Sequence, residues 1–406
     1  MKRLFSFLIG IFVTNILLAQ TENYKIAIDN FQANYNDEKS DEIFNSFSFD
    51  KQNQINGLFM KPYEGTKEIA NNTVNALNNY PKEIAETIFS KSKNFPINTQ
   101  LSIAIIQNGK TEYYGIINED DSIKPIENQR NIFEIGSITK VFTSTVLALL
   151  VEDKKVKLTD EINAYYPFLF KDNIKLNFES LANHTSGLPR LPENIELTDE
   201  SNPYKDYGKK EIDEYLKNLM KLDSKTYTYS NLGAGLLGYT LGLSQKTSFQ
   251  KLLQQKVFTK YKMKNSFTSS QNLESKLVKG LDENGNTVTN WDFDALFGGG
   301  GILSTTEDLA KFANAQFNPK NKELALTRKP TTDIGNNMKI GLGWHILKTE
   351  SSKDLIWHNG GTGGYSSSMA VNVKEKTAVI ILSNVSNINS TIDNLCFALM
   401  NLTNKK

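Results

Sequence analysis

The sequence predicts an α+β fold in which one antiparallel sheet, flanked by helices and built from both ends of a large domain, carries an inserted all-helical lobe. Three observations predict it. Apolar runs of strand character lie at 101–106 and 113–117 and return at 366–373 and 377–382; the stretch from about 139 to 317 has mainly helical spacing; and a helical pattern through Leu395, Phe397 and Met400 follows the last strand.

Taken in order, the chain begins Met1-Lys2-Arg3, continues through an apolar core from Leu4 to Leu18, and reaches the small residue Ala19 before polar Gln20-Thr21. This is the layout of a secretory signal over residues 1–19. Ser6, Thr14 and Asn15 interrupt the apolar stretch, which is short for a bilayer span, so cleavage near Ala19 is expected over a retained anchor. The expected product is exported, periplasmic or secreted, with no permanent membrane anchor. Residues 20–81 are polar, with short amphipathic pieces at 24–28 and 43–47, and read as a small accessory segment, a spacer or a docking cap. Residues 82–406 then form the main domain. Within it Asn108-Gly109, set between two apolar runs, predicts a hairpin, because both turn residues tolerate positive φ.

With 39% hydrophobic residues the domain can bury a conventional core. The sole cysteine, Cys396, allows no intrachain disulfide and does not follow the signal, where a lipid would be attached. Loss of residues 1–19 removes Lys2 and Arg3 and no acid, leaving 44 basic against 45 acidic residues. Such balance excludes the basic field a nucleic-acid partner requires. Three widely separated histidines and one cysteine predict no metal site, and no cofactor motif is present.

Chemistry-bearing residues fall in three groups. In the first, Phe133-Glu134-Ile135-Gly136-Ser137-Ile138-Thr139-Lys140 leads into an apolar helical run ending near Leu150. Ser137 is expected to open that helix, with Lys140 on the same face three residues on. A serine hydroxyl needs a base, and a lysine serves when burial and nearby positive charge lower its pKa. Taken singly, S-x-x-K also describes an N-cap serine with a solvated lysine. A lysine near the start of a helix apolar nearly all round, however, needs a polar site to enter.

In the second group, Tyr227-Thr228-Tyr229-Ser230-Asn231, the phenol of Tyr229 can hold or pass a proton if cations favour its phenolate. Asn231 can bind a substrate carbonyl or fix Lys140. The same residues could also simply cap a helix. The third group is Trp357-His358-Asn359-Gly360-Gly361-Thr362-Gly363-Gly364-Tyr365, ahead of a strand. Its glycines let a substrate approach backbone amides, and the amide of Gly361 is a candidate second oxyanion donor beside that of Ser137. A dinucleotide loop would need a helix to follow, whereas a strand does.

In this order the groups resemble the S-x-x-K, Y-x-N and K-T-G or H-x-G motifs of the serine β-lactamase and penicillin-binding protein superfamily, in particular its class C-like branch. The stretches 181–189, 297–303 and 341–344 are also similar to that branch, and the resemblance covers roughly residues 82–401. It implies a β-lactamase/transpeptidase-like fold. It further implies Ser137 as acylated nucleophile, Lys140 as its proton partner, and Tyr229 as the residue that protonates the leaving group or activates the deacylating water. Asn231, His358, Gly360 and Gly361 would bind substrate. The departure is His358-Asn359-Gly360 where the motif has Lys-Thr-Gly, which removes a permanent cation that attracts a substrate carboxylate.

Other residues read as structural. His184 is expected to bond backbone in its turn, and His345 to be a packed or edge-strand residue. Ser304-Thr305-Thr306-Glu307 reads as a capping box, and the polar stretch 191–210, with Tyr204 and Tyr207, as a flap over the site. The function expected is a serine hydrolase that forms an acyl-enzyme on Ser137 with a peptide, ester or β-lactam. The alternative is a catalytically silent protein that binds cell-wall peptide or a partner on the same fold. An α/β-hydrolase is excluded by the lack of a G-x-S-x-G elbow.

Overall fold

The structure is a computed structural model and describes residues 77–119, 122–195, 199, 201–348 and 354–404. The expected signal, and the accessory segment apart from residues 77–81, lie outside the described residues. Those five residues pack on the domain, with Leu77 buried and the Tyr80 hydroxyl donating to Gly115 O at 2.6 Å.

The sheet has nine strands in the order β3-β2-β1-β11-β10-β9-β8-β7-β6, every pair antiparallel. Their ranges are β1 Gln100–Gln107, β2 Lys110–Glu119, β3 Ser122–Pro125, β6 Thr332–Asp333, β7 Met338–Ile340, β8 His345–Leu347, β9 Leu355–Gly361, β10 Ser366–Asn372 and β11 Thr377–Ser383. A separate pair joins β4 Phe133–Glu134 to β5 Leu303–Ser304. The two ends of the domain meet where β1 lies against β11, from Leu101 opposite Ser383 to Ile106 opposite Ala378.

Period-two geometry explains why these two strands read as unbroken apolar runs. Leu101, Ile103 and Ile105 of β1 and Val379 and Ile381 of β11 enter one core. Ala104 and Ile106, with Ala378, Ile380 and Leu382, enter the other. Helices α1 (Lys82–Ser92) and α9 (Asn389–Asn404) cover the first face, α9 burying Ile392, Leu395, Cys396, Leu399 and Met400 at helical spacing. The second face is covered by α2 (Thr139–Glu152), α7 (Thr306–Ala315) and the lobe. That lobe carries α3 (Phe178–Ala182), α4 (Lys209–Glu214), α5 (Asn231–Ser244) and α6 (Phe249–Leu253). Helix α8 (Lys322–Thr327) packs beside α2. The lobe lies between β4 and β5, the small pair that closes its base outside the main sheet, and the expected α+β architecture is borne out.

Two local expectations meet different outcomes. Asn108 (φ 53°) and Gly109 (φ 78°) form the two-residue turn between paired Gln107 and Lys110, as the dipeptide predicts. The expected capping box is replaced by a simple N-cap one residue on: Thr305 caps α7, accepting from Asp308 N at 3.1 Å, because Ser304 is held in β5, and the Asp308 carboxylate accepts from Asn265 N and Ser266 Oγ. Glu307 faces outward instead, to Arg130 and Lys311.

At Gly109 an added Cβ meets nothing within 4 Å, so Gly109→Ala reports the cost of positive φ alone. A loss of about 1 kcal/mol is expected in chemical denaturation, with the far-UV spectrum unchanged.

Candidate active site

Helix α2 explains the first group. Its residues from Thr139 to Leu150 are all buried, so its polar members must find partners inside the fold. The glycine segment 298–301 supplies them. Thr143 Oγ1 donates to Gly298 O at 2.8 Å, Ile302 N donates to Thr139 Oγ1 at 3.2 Å, and Lys140 Nζ donates to Gly299 O at 2.8 Å. The Lys140 amine, on a residue only 2% exposed, also lies 2.9 Å from Ser137 Oγ and 2.8 Å from Asn231 Oδ1.

Ser137 does not open α2. It occupies the 3-10 turn Gly136–Ile138 just before it, a turn that needs positive φ at Gly136 (φ 50°). A Cβ on Gly136 would stand 2.6 Å from Gly361 N, which measures how closely the turn abuts the end of β9.

Asn231 Oδ1 and Gly299 O can only accept hydrogen bonds. A neutral amine has two hydrogens for them and one lone pair left for the hydroxyl of Ser137. Burial, reinforced by the Arg190 charge, holds Lys140 well below the usual lysine range, which favours that neutral form.

In the second group the capping reading is observed. Ser230 caps α5, accepting from Gly233 N at 2.8 Å, and this cap turns Tyr229 and Asn231 toward Lys140. The Lys140 amine lies 4.8 Å from the centre of the Tyr229 ring, and the Ser137 side chain acts on the phenol to lower its pKa. Cations do not make it a phenolate. Burial pushes Tyr229 up to about 12, outweighing Ser137 and Arg190, so at neutral pH it is a phenol with a proton to give.

The third group divides. Gly361 lines the cleft, and a Cβ on Gly360 would lie 2.7 Å from Ser137 N, so the two strand-end glycines bring β9 against the Ser137 turn. Gly360 itself is buried in that contact. His358 is 1% exposed and is not on the cleft wall; its ring packs 6.3 Å from that of Tyr229. Its Nδ1 donates to Asn359 O at 2.6 Å, and its buried Nε2 has no hydrogen-bond partner among the described residues. Asn359 points to the opposite face of β9, donating to Asp393 Oδ2 of α9 at 2.6 Å.

The three histidines, far apart in sequence, converge around the two tyrosines. His184 accepts from Ser230 N at 3.2 Å and lies 4.6 Å from the Tyr229 ring; His345 Nε2 is 2.9 Å from the Tyr227 hydroxyl and its ring 5.2 Å from His358. Burial pulls His184 and His358 well below the usual histidine range and His345 to about 3, leaving all three neutral at pH 7. Among the described residues no group of His, Cys, Asp or Glu is arranged to hold a metal ion.

Ser137, Asn231 and Gly361 face an aromatic wall of Tyr204, Trp291 and Phe293 across a cleft of about 290 Å³. Tyr204 and Phe293 stack at 4.7 Å, and Asn202 and Asp292 exchange hydrogen bonds of 2.9 and 2.8 Å that tie their two loops together. Tyr204 thus borders the site, as the flap reading has it. Tyr207 is instead buried in the lobe and bonded to Asn194.

Sequence reasoning gave no role to Glu134, Arg190 or the Gly299 carbonyl. Glu134 is 5% exposed, and its Oε1 accepts from Asn290 Nδ2 at 2.7 Å and Trp291 N at 2.9 Å, fixing the wall to the strand that leads into Ser137. A lone acid between Phe133 and Ile135 was the available signal. Glu134→Ala strands two donors and is expected to cost about 2 kcal/mol in chemical denaturation, while Glu134→Gln, whose carbonyl still accepts both, retains most of that stability. Equal losses in the two variants would remove this role.

A family model described as Beta-lactamase matches residues 99–393. A beta-lactamase of Pseudomonas fluorescens is 31% identical over 271 residues, which are 63% of this chain and 72% of that protein. Protein flp of Staphylococcus aureus is 24% identical over 307 residues, 70% of this chain and 59% of its own length. Among solved structures, a class C beta lactamase from Rhodobacter sphaeroides superposes with TM-score 0.68 at 17% identity, over 79% of this chain and 99% of that one. A beta-lactamase/D-alanine carboxypeptidase from Pseudomonas syringae does so with TM-score 0.68 at 20% identity, over 79% and 98%. The family match runs from the start of β1 into α9 and so takes in both halves of the sheet and the whole lobe between them: this chain belongs to the beta-lactamase family.

Proposed function

We propose that the chain is a serine acyl hydrolase whose nucleophile is Ser137 and whose base is the neutral amine of Lys140. The observation that carries the reading is the set of partners around Lys140 Nζ, two obligate acceptors and the Ser137 hydroxyl, all within 2.9 Å. In acylation Lys140 takes the hydroxyl proton as Ser137 Oγ bonds to the substrate carbonyl carbon. The amides of Ser137 and Gly361 receive the developing oxyanion. Tyr229, a phenol, gives its proton to the departing amine or alcohol as the carbonyl bond to it breaks, and recovers one from Lys140. Deacylation repeats the sequence with water as the attacking group. Asn231 fixes the amine, and His358 and His184 hold the Tyr229 ring from behind, so His358 serves as a positioning residue.

The substrate class supported is a small peptide, ester or β-lactam. The names of the relatives, beta-lactamase and D-alanine carboxypeptidase, lie within it. The neutral His358 in place of a lysine disfavours efficient β-lactam turnover. The signal-like residues 1–19 support export; among the described residues no helix is long and apolar enough to cross a membrane.

Labelling by a fluorophosphonate or a fluorescent penicillin is expected on Ser137 and lost in Ser137→Ala. Turnover of nitrophenyl esters should fall at least about 10³-fold in that variant and about 10²-fold or more in Tyr229→Phe. Absence of both adduct and turnover in the wild type would leave a silent binding protein on this fold.

The pH profile gives an independent check. With the histidines held neutral, the acid limb of kcat/KM belongs to Lys140, and activity rises as the amine loses its proton below the usual lysine range. Arg190 lowers the Lys140 pKa, so Arg190→Gln should move this limb to higher pH. A limb that stays in place contradicts the assignment.

A further inference from the structure

The aromatic wall of the cleft carries one polar atom that faces into the site. Tyr204, 7% exposed, lines the cleft, and its hydroxyl accepts from Asn231 Nδ2 at 3.2 Å. Asn231 Oδ1 accepts from Lys140 Nζ at 2.8 Å, and that amine stands 2.9 Å from Ser137 Oγ. A hydrogen-bonded path of four side chains therefore runs from the wall to the nucleophile.

The two ends of the Asn231 amide are held differently. At the oxygen stands an amine on a long, jointed chain; at the nitrogen, among the described residues, the Tyr204 hydroxyl is the partner. Tyr204 is itself firmly placed. Its ring stacks on that of Phe293 with centroids 4.7 Å apart and planes 18° apart, and lies 5.4 Å from that of Trp291. On one side of it Asn202 exchanges hydrogen bonds with Asp292, and on the other Ala295 N donates to Tyr207 O at 3.1 Å. The flap is thus tied to the Phe293 loop before and after Tyr204.

The last torsion of an asparagine side chain is broad and roughly two-fold, so an amide held at one end can swing or turn over. Turned over, it presents N–H groups where Lys140 needs an acceptor, and those donors compete with Ser137 for the single lone pair of the neutral amine. A hydrogen bond at each end restrains that torsion. We propose that Tyr204 is a positioning residue whose hydroxyl holds the Asn231 amide, keeping Oδ1 on Lys140 and the lone pair of the amine on Ser137. The inference rests on the acyl-hydrolase reading and extends it to a residue outside the three motifs.

The test uses Tyr204→Phe, which keeps the ring and its stacking and removes the hydroxyl, alone and combined with Asn231→Ala. The first readout is the rate at which a fluorophosphonate labels Ser137. Tyr204→Phe is expected to slow labelling about tenfold in the wild-type background and less than about twofold in the Asn231→Ala background, because the hydroxyl acts through the amide. The second is hydrogen exchange at the side-chain amide of Asn231, its signals assigned by their loss in Asn231→Ala: slow in the wild type, it should become fast in Tyr204→Phe. Nitrophenyl acetate and nitrophenyl phenylacetate should be slowed by the same factor, since the ring on the cleft wall is retained. A full labelling rate in Tyr204→Phe, an equal loss in both backgrounds, amide exchange unchanged by the substitution, or slowing confined to the phenylacetate ester overturns the proposal and leaves the acyl-hydrolase reading intact. Folded wild-type protein that takes no fluorophosphonate label and turns over neither ester overturns both.

Discussion

A lysine amine is kept inside the domain, 2% exposed, and no carboxylate is bonded to it among the described residues. A buried ammonium without a counter-ion is costly, and the usual escape is to lose the proton. The fold makes that escape inexpensive: an amide oxygen from α5 and a carbonyl from the glycine segment satisfy the two hydrogens that remain. The rest of the site depends on this arrangement. The helix that carries Lys140 is buried on every side, so the amine has one polar exit, and Ser137 stands at it.

Holding the exit in place takes elements from both halves of the domain. The 3-10 turn of Ser137 is pressed against the end of β9 by glycines that leave no room for side chains, and Asn389 of α9 braces that strand end by donating to Gly360 O at 2.7 Å. The lobe brings Tyr229 and Asn231 through the cap at Ser230, and the lobe exists as an insertion because β4 and β5 pair across it. Around the tyrosine, burial leaves three imidazoles and the phenol uncharged. Beside them the buried Lys140 amine is held toward its neutral form, and the exposed guanidinium of Arg190 stands 5.4 Å from the centre of the Tyr229 ring.

What the sequence revealed follows from how each feature is encoded. A helical i, i+3 pair is local, so Ser137 and Lys140 could be placed together from spacing alone; Asn-Gly between apolar runs and the alternation in β1 and β11 are local in the same sense. The capping residue of α7 was misplaced by one because Ser304 was claimed by a strand pairing with Phe133, a partner 171 positions away in the register. Gly299 contributes a carbonyl, and any residue has one, so no side-chain pattern announces it. Glu134 and Arg190 acquire their meaning from loops that reach them only in three dimensions, and a charged residue after Pro189 looks like any surface residue. The phenolate that nearby cations could have favoured at Tyr229 does not form for an energetic reason no motif encodes: burial acts on it more strongly than the nearby positive charge.

The most direct measurement of the central claim is the ionisation of Lys140 itself. Titration of the side-chain resonances in protein carrying isotope-labelled lysine, with Lys140 assigned by its loss in Lys140→Arg, should show an amine that loses its proton well below the 10.5 of an ordinary lysine. A Lys140 that titrates with the surface lysines would contradict the account, because the serine would then have no base beside it.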